Sequence, residues 1–509
     1  MPRSRSLSFA APLALSLLAA PSVAQTLDLG LRGGALPGVS TFDLEGPPGT
    51  LYALLFALNE QSTPIPSFGI TLDIPLTFVD ISLAIPGFVS TLSPAGLASP
   101  AVPLPADPAF EPLVFSMQAV GQTSTVFVSN LLRMTPQLAG TWKAPLNAPA
   151  VPIQNGGVVA EDQGQLLFVG GSGPVAQRYA SRLEEWSAAG ASFGVGLLSQ
   201  TTTLNDGRVL FTGGLDLTTG QPTAAAAIYD PTTQSTTTLA MGIARAGHGA
   251  SLMGNGKVLV TGGFEVGDFT NPLALFAGIR ASTEIFDPAT DTFAPGPNML
   301  EARAMHTSTT LTSGQVLVAG GVTLIPFVNL PTVSATAYRF NPANNSFGLP
   351  ASFSGGRFLH SAAPLSNGKV LLVGGVNLDF TTFLTSGNLA DITVSTRTDC
   401  QVYTPGILGF GTFATVAGMQ EGRAGAAVAS LPNGAALIAG GFQLALDIPN
   451  SQFAFNPTAS ADVYAASNTI APTGAMAQPR LFPLAVNLPD DTVMVVGGGT
   501  GAPEIWQPN

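Results

Sequence analysis

The stretch Asn255–Gly263, NGKVLVTGG, decides the fold, because its pattern returns through about three quarters of the chain. It consists of a turn, a short run that is almost wholly apolar, and a Gly-Gly doublet. The doublet occurs seven times, and its first glycines are Gly170, Gly213, Gly262, Gly320, Gly374, Gly440 and Gly497. Six residues earlier stands another glycine, replaced only in the last copy by Asp491. A strand formed by the apolar run has no polar face, so it must be covered on both sides.

The spacing of the copies predicts the architecture. Pairs such as Asn255-Gly256 and Asn367-Gly368 supply the positive φ that a tight hairpin needs. A short sheet buried on both faces and repeated at roughly fifty residues is typical of a propeller blade or a solenoid coil.

When the copies are aligned on the doublet, two further positions and a turn recur; each such aligned position is called a column. Seventeen residues before it, five copies carry an arginine: Arg245, Arg303, Arg357, Arg423 and Arg480. Three residues later, three copies carry the only histidines of the chain: His248, His306 and His360. After an insertion of variable length comes an aromatic residue and a turn, as in Phe286-Asp287-Pro288. This order resembles the kelch repeat over about residues 140–509, and the resemblance implies an all-β, seven-bladed kelch-type β-propeller.

The last copy ends before it can supply its outermost strand. Gly140-Thr141-Trp142 is similar to the segments that carry this strand in complete copies, such as Asp291-Thr292-Phe293. We therefore predict that Trp142 and its neighbours pair with the strand Pro503–Trp506 and close the ring, which removes two exposed sheet edges.

Residues 25–139 lack the doublet pattern, and their short apolar runs alternate with Pro and Gly clusters. Such runs predict a small β-sandwich-like domain before the propeller. The predicted strands include Thr50–Leu58, Ile70–Ile74, Phe78–Ile85, Leu113–Val120 and Thr125–Leu131.

The first residues predict export. Arg3 and Arg5 precede the apolar run Leu7–Ala20, and Ser22-Val23-Ala24 offers small residues for cleavage before Gln25. Residues 1–24 are therefore expected to be a signal peptide, and the mature protein periplasmic, on the cell surface or extracellular.

The composition argues against several classes of protein. The 509 residues carry a net charge of −12, which argues against nucleic-acid binding. Past the N-terminus no apolar run approaches the length of about 18 residues that a membrane span needs, so no transmembrane segment is expected. The single cysteine, Cys400, cannot form an internal disulfide, and stability must come from burial and sheet pairing.

The histidines and arginines each allow two interpretations. Three imidazoles in one register near the axis could hold a metal ion, or each ring could bond backbone inside its own blade. Five arginines near one mouth could bind an anion, or pair with acids. We favour structural roles. No fixed offset supplies supporting metal ligands, and four copies place an acid two residues before the aromatic: Glu184, Glu284, Asp462 and Glu504.

Copper radical oxidases of the galactose oxidase type share the kelch propeller, so the resemblance raises an enzymatic alternative. Their site resembles a tyrosine cross-linked to a cysteine, a second tyrosine directly followed by a histidine, and a further histidine. Here the residues before the histidines are Gly247, Met305 and Leu359, and Cys400 is interpreted as a small buried residue. We predict no catalytic, cofactor-binding or metal-binding residues, and keep a carbohydrate-active oxidoreductase as the alternative.

Four long, apolar insertions follow the doublets, at 264–282, 322–335, 376–399 and 442–461. The strand order puts them on one face, where they would form an apolar rim; alternatively, they pack on each other or on the N-terminal domain. The candidate binding residues of this rim are Phe264, Asp268, Phe327, Asp379, Phe380 and Asp447. The sequence thus predicts a non-catalytic binding or scaffolding module for a protein or glycan at the cell envelope.

Overall fold

The computed structural model is all-β and divides into two compact units between Leu138 and Ala139. The sequence boundary was expected between residues 139 and 140. The structure describes residues 26–150, 153, 157–161, 165–169, 175–191, 196–216, 218–265, 278–325, 331–379, 382, 386, 388, 391–406, 411–416, 418–447, 452–499 and 501–508. Among these residues, no helix has both the length and the apolar character that a bilayer-spanning segment requires.

The first unit is a β-sandwich. One sheet comprises Asp28–Arg32, Gly38–Glu45, Leu97–Ala98 and Ala101–Leu104; the other comprises Leu51–Ala57, Val89–Thr91, Phe115–Gln122, Val126–Val128 and Leu132–Met134. Two strand pairs accompany them, Ala35–Leu36 with Gln137–Leu138 and Thr63–Ile65 with Ile70–Leu72, together with the 3-10 turns Leu76–Phe78 and Pro108–Phe110. Side chains from both sheets, such as Leu29, Phe42, Leu54 and Met117, form one core, as a sandwich requires.

The strand predicted over Phe78–Ile85 is wrong, because this segment forms the short α-helix Val79–Ala84. Its alternation of apolar and polar residues is typical of a strand, but a tertiary contact overrides this pattern. The Ser82 hydroxyl donates to the Phe78 carbonyl (2.9 Å) and accepts from the backbone N–H of Phe56 (3.2 Å). These bonds fix a helical turn against the neighbouring strand.

The second unit is built from consecutive antiparallel sheets of four strands, which we call blades 1 to 7. Their strands, from innermost to outermost, are Gly157–Glu161, Gln165–Val169, Val175–Ala180 and Glu185–Ala191 in blade 1; Gln200–Thr203, Val209–Thr212, Thr223–Asp230 and Ser235–Arg245 in blade 2; Gly249–Leu252, Val258–Thr261, Thr283–Asp287 and Thr292–Pro295 in blade 3; Thr307–Thr310, Val316–Ala319, Thr336–Asn341 and Ser346–Phe347 in blade 4, where Ala351–Ser352 also pairs. Blade 5 comprises Ser361–Pro364, Val370–Val373, Cys400–Pro405 and Gly411–Val416; blade 6 comprises Ala427–Ser430, Ala436–Ala439, Ala461–Ala465 and Thr469–Pro472; blade 7 comprises Leu484–Asn487, Val493–Val496, Glu504–Trp506 and Trp142–Lys143.

The apolar second strands hold the blades together. In blade 3, Val258 and Val260 pack toward blade 2, whereas Leu259 packs toward blade 4. The same alternation fills every interface between successive blades, and one further cluster joins Met494 of blade 7 to Phe168 of blade 1. The prediction that these strands are covered on both faces is confirmed, and the sheets form a closed β-propeller.

The ring closes as predicted. Trp142 pairs with Trp506 in antiparallel register, so the strand Trp142–Lys143 is the outermost strand of blade 7. The indole N–H of Trp142 donates to the Gly474 carbonyl at 2.5 Å, and Trp506 is 1% exposed. The sheet edge of blade 7 is therefore paired rather than left open.

A second layer covers one end of the propeller. Three hairpins extend the connections after the doublets: Val322–Leu324 with Pro331–Val333, Val376–Asp379 with Thr393–Thr396, and Phe442–Asp447 with Gln452–Pro457. The residues directly after four doublets, Phe264, Val322, Val376 and Phe442, are buried in one apolar cluster. Part of the predicted apolar rim is thus internal core.

Candidate functional site

The innermost strands converge on a cavity of about 360 Å³ on the propeller axis. Blades 2 to 7 contribute the described residues that line it, at the point where each innermost strand begins. Polar groups come mainly from blades 2 to 5, including Ser199, Thr201, Ser308 and the three histidines. Blades 6 and 7 add the apolar Ala426, Phe482 and Pro483. The described lining contains no lysine, arginine or carboxylate, so the cavity suits a polar but uncharged group.

A belt of left-handed residues surrounds this cavity. In each of blades 2 to 7, the residue at the start of the innermost segment has a φ between 51° and 60°: Leu198, Gly247, Met305, Leu359, Gly425 and Phe482. Most side chains avoid this conformation, so something must hold it. The belt was not foreseen from the sequence, although its column directly precedes the histidine column.

Hydrogen bonds between blades hold the belt. The N–H groups of four belt residues donate to the carbonyl of the belt residue in the preceding blade. The distances are 3.0 Å for Gly247 to Leu198, 2.7 Å for Met305 to Gly247, 3.0 Å for Leu359 to Met305 and 2.8 Å for Gly425 to Leu359. Backbone groups that would otherwise face the cavity are therefore satisfied by the adjacent blade.

The histidines also connect blades, which corrects the expectation that each ring bonds backbone within its own blade. The Nε2 atoms of His248 and His306 lie 2.8 Å from the hydroxyls of Thr212 and Thr261 in the preceding blade. His360 makes a 2.8 Å contact with Thr307. Threonine offers the hydroxyl at the level of the ring, whereas the backbone of the same blade is already paired in its sheet.

Burial keeps these imidazoles neutral. It lowers the pKa of His248 and of His360 to about 3, and that of His306 well below its ordinary value, with nearby arginines adding to the effect. No group of three or more histidine, cysteine or acidic side chains within the described ranges could hold a metal ion. Because each Nε2 is engaged by a threonine, the three rings do not converge on one ion.

The repeat arginines are completely buried, and each forms an ion pair. Nitrogen–oxygen distances are 3.2 Å for Arg245–Glu284, 2.9 Å for Arg303–Glu301, 2.7 Å for Arg357–Asp399, 2.6 Å for Arg423–Asp462 and 3.0 Å for Arg480–Glu504. Three of these acids are those noted two residues before the aromatic. The fourth, Glu184, lies in the turn before the outermost strand of blade 1 instead and pairs at 2.9 Å with Lys143 of the closing strand.

The arginines explain the Gly-Gly doublets. The Nη1 atom of Arg245 donates to the Gly262 carbonyl at 2.7 Å, and the Gly263 N–H donates to the Arg303 carbonyl at 2.9 Å. A Cβ at Gly262 would lie 2.2 Å from the Arg303 carbonyl oxygen. The doublets that begin at Gly262, Gly320, Gly374 and Gly440 each connect two successive arginine segments in this way, with the positive φ that favours glycine. Buried in this way, the arginines do not face a ligand.

The residues predicted to form the apolar binding rim lie in different environments. Phe264 is 0% exposed, so it lies in the core rather than on a binding surface. Asp379 is exposed at the end of a hairpin strand. Asp268, Phe327 and Phe380 lie outside the described residues, and for Asp447 only the backbone, in the strand Phe442–Asp447, is described.

The residues present do not fit the copper site that the galactose oxidase resemblance implies. Cys400 is 0% exposed, and burial raises its pKa to about 12, so the thiol stays protonated. The positions before the histidines carry no tyrosine, and the imidazoles are engaged by threonines. Among the side chains described, none of these histidines has the carboxylate partner that a catalytic triad would place on its second nitrogen.

The fold and the cavity define a β-propeller protein with an uncharged axial site. No family model matches the sequence, and no curated protein matches it. Among solved structures, the chain is similar to a fungal alcohol oxidase of the AA5 family, determined in complex with copper. The TM-score is 0.52 at 18% sequence identity, and the alignment covers 73% of this chain and 76% of that one. This likeness shows a galactose oxidase-like all-β fold and nothing about activity.

Proposed function

We propose that this protein is exported and acts as a non-catalytic, kelch-type binding module for a protein or glycan at the cell envelope. One observation carries the proposal: the repeat side chains that could do chemistry are internal partners. The five arginines are held in buried ion pairs and the three histidines connect blades, while the axial cavity is lined by hydroxyls, backbone, apolar groups and these neutral imidazoles. Such a lining suits recognition of a polar surface group.

The cavity has a polar side and an apolar side, which favours a ligand with the same division. Ser199 and Ser308 lie on one side, and Phe482 and Pro483 on the other. Sugar rings combine hydroxyl edges with apolar C–H faces, so an uncharged glycan matches this division. A polar turn of a protein partner is the other occupant within the same proposal.

The alternative is an oxidoreductase related to the AA5 alcohol oxidases, favoured by the structural likeness to that enzyme. It requires a redox centre for which the described residues offer no ligand set. Stoichiometric copper in the purified protein, or hydrogen peroxide formed from sugars or primary alcohols, would establish the alternative and overturn the binding proposal.

Retention of the purified chain on envelope polysaccharide tests the proposal directly. Gln200→Trp places a large ring among the residues that line the cavity, and it should reduce retention at least tenfold. The control is Thr236→Trp, at an exposed position on the outermost strand of the same blade, which should bind normally. Equal retention of both variants, or no retention of the unaltered protein on envelope material, would overturn the proposal.

A further inference from the structure

A second cavity, of about 590 Å³, lies where blade 4 meets blade 5. It is lined by the two turns of blade 4 and the end of the third strand of blade 5: Ser313, Gln315, Arg339, Asn341, Asn344, Ser346, Gly348, Pro405 and Gly406. The innermost strand of blade 4 begins beside the axial cavity and is followed by the turn that holds Ser313. The two cavities therefore lie at opposite ends of that strand.

Arg339 departs from the repeat. It directly precedes the aromatic Phe340, and the same position in five other blades is aliphatic: Ile228, Ile285, Val402, Val463 and Ile505. In those blades the side chain packs in or against the apolar cluster between blades. Five blades thus fill this position with an apolar side chain. Blade 1 has an arginine there, Arg178, but it pairs with Glu161 at 2.5 Å.

The guanidinium of Arg339 lacks the partners that the repeat arginines have. Arg339 is 8% exposed, yet its one hydrogen bond to the described part of the chain is a long contact of 3.4 Å from Nη1 to the Gly406 carbonyl. Its Nε is buried with no partner, and no carboxylate of the described chain pairs with it. A nearly buried cation without a counter-ion is costly, so an anion from outside would be bound favourably.

Blade 4 also lacks the charge pair that blade 3 carries at this turn. In blade 3, Lys257 pairs with Asp287 at 2.8 Å. The corresponding residues of blade 4 are Gln315 and Asn341, both neutral amides that line the cavity. Asn341 thus stands where blade 3 has an acid, so Arg339 has no carboxylate from this turn and is instead accompanied by hydrogen-bonding amides.

We propose that this cavity binds the oxyanion of an acidic sugar, with the Arg339 guanidinium holding a carboxylate or phosphate group and the amides and hydroxyls holding the sugar hydroxyls. An arginine fork matches the geometry of these oxyanions. The cavity volume accommodates one or two sugar rings. The net charge of −12 opposes anions at long range, but screening at physiological salt limits this effect to about 8 Å.

This inference deepens the proposed binding function by naming a ligand class for a second site. Calorimetry of the purified full chain with glucuronate, glucose 6-phosphate and glucose is the test. The two acidic sugars should bind and glucose should not; the stronger of the two identifies carboxylate or phosphate as the preferred group.

Two variants separate binding from folding. Arg339→Ile restores the apolar residue of five other blades, so it should keep or raise the melting temperature while weakening acidic-sugar binding at least tenfold. Asn341→Asp restores the carboxylate of blade 3 and should weaken binding similarly by neutralising Arg339. Lys257→Met, which removes one positive charge from the equivalent turn of blade 3, is the matched control and should bind normally.

The inference is overturned if no acidic sugar binds to the unaltered protein, if glucose binds as well as glucuronate, or if Arg339→Ile binds like the unaltered protein. Envelope retention that persists in the same preparation would show that the proposed function stands while this site fails. Loss of retention in Gln200→Trp alone, with acidic-sugar binding intact, supports two separate sites.

Discussion

Replacing Arg423 by methionine tests whether the buried ion pairs hold the propeller together. The guanidinium contacts Asp462 at 2.6 Å, Ser460 Oγ at 2.8 Å and the Ser460 carbonyl at 2.6 Å. Arg423 is 0% exposed and Asp462 is 2% exposed. Methionine keeps much of the apolar stem, so the change removes the charge and the hydrogen bonds with little loss of volume.

The expected loss is about 3–5 kcal/mol of unfolding free energy, because removing one partner leaves a buried carboxylate uncompensated. Burial raises the pKa of Asp462, although Arg423 acts to lower it, so the ionised carboxylate is costly even in the intact pair. The double variant Arg423→Met/Asp462→Leu removes both charges and should recover most of the loss. The exposed pair Lys257–Asp287 is the control, and Lys257→Met should cost less than about 1 kcal/mol.

Urea unfolding followed by tryptophan fluorescence measures this effect in the propeller alone. All three tryptophans, Trp142, Trp186 and Trp506, belong to the second unit. A loss below about 1 kcal/mol in Arg423→Met would contradict the reasoning, since that is the range of an exposed pair. So would a double variant that is no more stable than the single one.

Three further predictions follow from contacts between blades. Trp142→Ala should destabilise the propeller by about 3 kcal/mol, because it removes the aromatic anchor of the closing strand; an unchanged urea midpoint would show that other contacts close the ring. His306→Ala should lower the free energy of unfolding by about 2 kcal/mol, because it leaves a cavity and removes the partner of the Thr261 hydroxyl. The metal content measured by mass spectrometry should not change. Loss of a bound metal would contradict the structural role. The histidine pKa values lie below the ordinary 6.5, so the unfolded chain binds more protons than the folded protein at mildly acidic pH. The contribution of the neutral histidines to the free energy of unfolding is therefore complete above about pH 6.5 and decreases as the pH falls toward 3. A urea midpoint that is the same at pH 7.5 and pH 5 would refute this last prediction.

Repetition explains why much of the fold could be predicted. The apolar second strands and the Gly-Gly doublets are short-range features that recur at constant offsets, and each has one structural solution. The missing last strand was visible for the same reason, since Trp142 matches a position that three complete copies fill with Phe293, Phe347 and Phe413. In the first unit, which lacks the repeat, the local sequence pattern gave a wrong prediction. The alternating segment around Ser82 was predicted to be a strand but is a helix, because the backbone of a neighbouring strand donates to the Ser82 hydroxyl.

The candidate sites were less accessible, because they depend on contacts between copies. The repeated histidine position was apparent from the sequence, but the threonines that contact the rings lie one blade earlier. Thr212 and Thr261 directly precede a doublet, whereas Thr307 directly follows a histidine, so the three partners do not share one position in the repeat. The apolar insertions did not show which residues face outward, and Phe264 is buried among the equivalent residues of other blades. Arg339 gave a usable signal, a cation at a position that is aliphatic in five other blades, yet its lack of an acid partner required coordinates.

The amino-acid sequence by itself determined the blade, the closure of the ring and the division into two units, because each follows from spacing along the chain and from which residues tolerate a turn or an interior position. Only the tertiary structure decided the belt around the axis, the partners of the buried charges and the carboxylate-free cavity beside Arg339. Insertions of different length separate the blades in sequence, so the neighbours of a side chain across a blade interface are set by three-dimensional packing and not by distance along the chain.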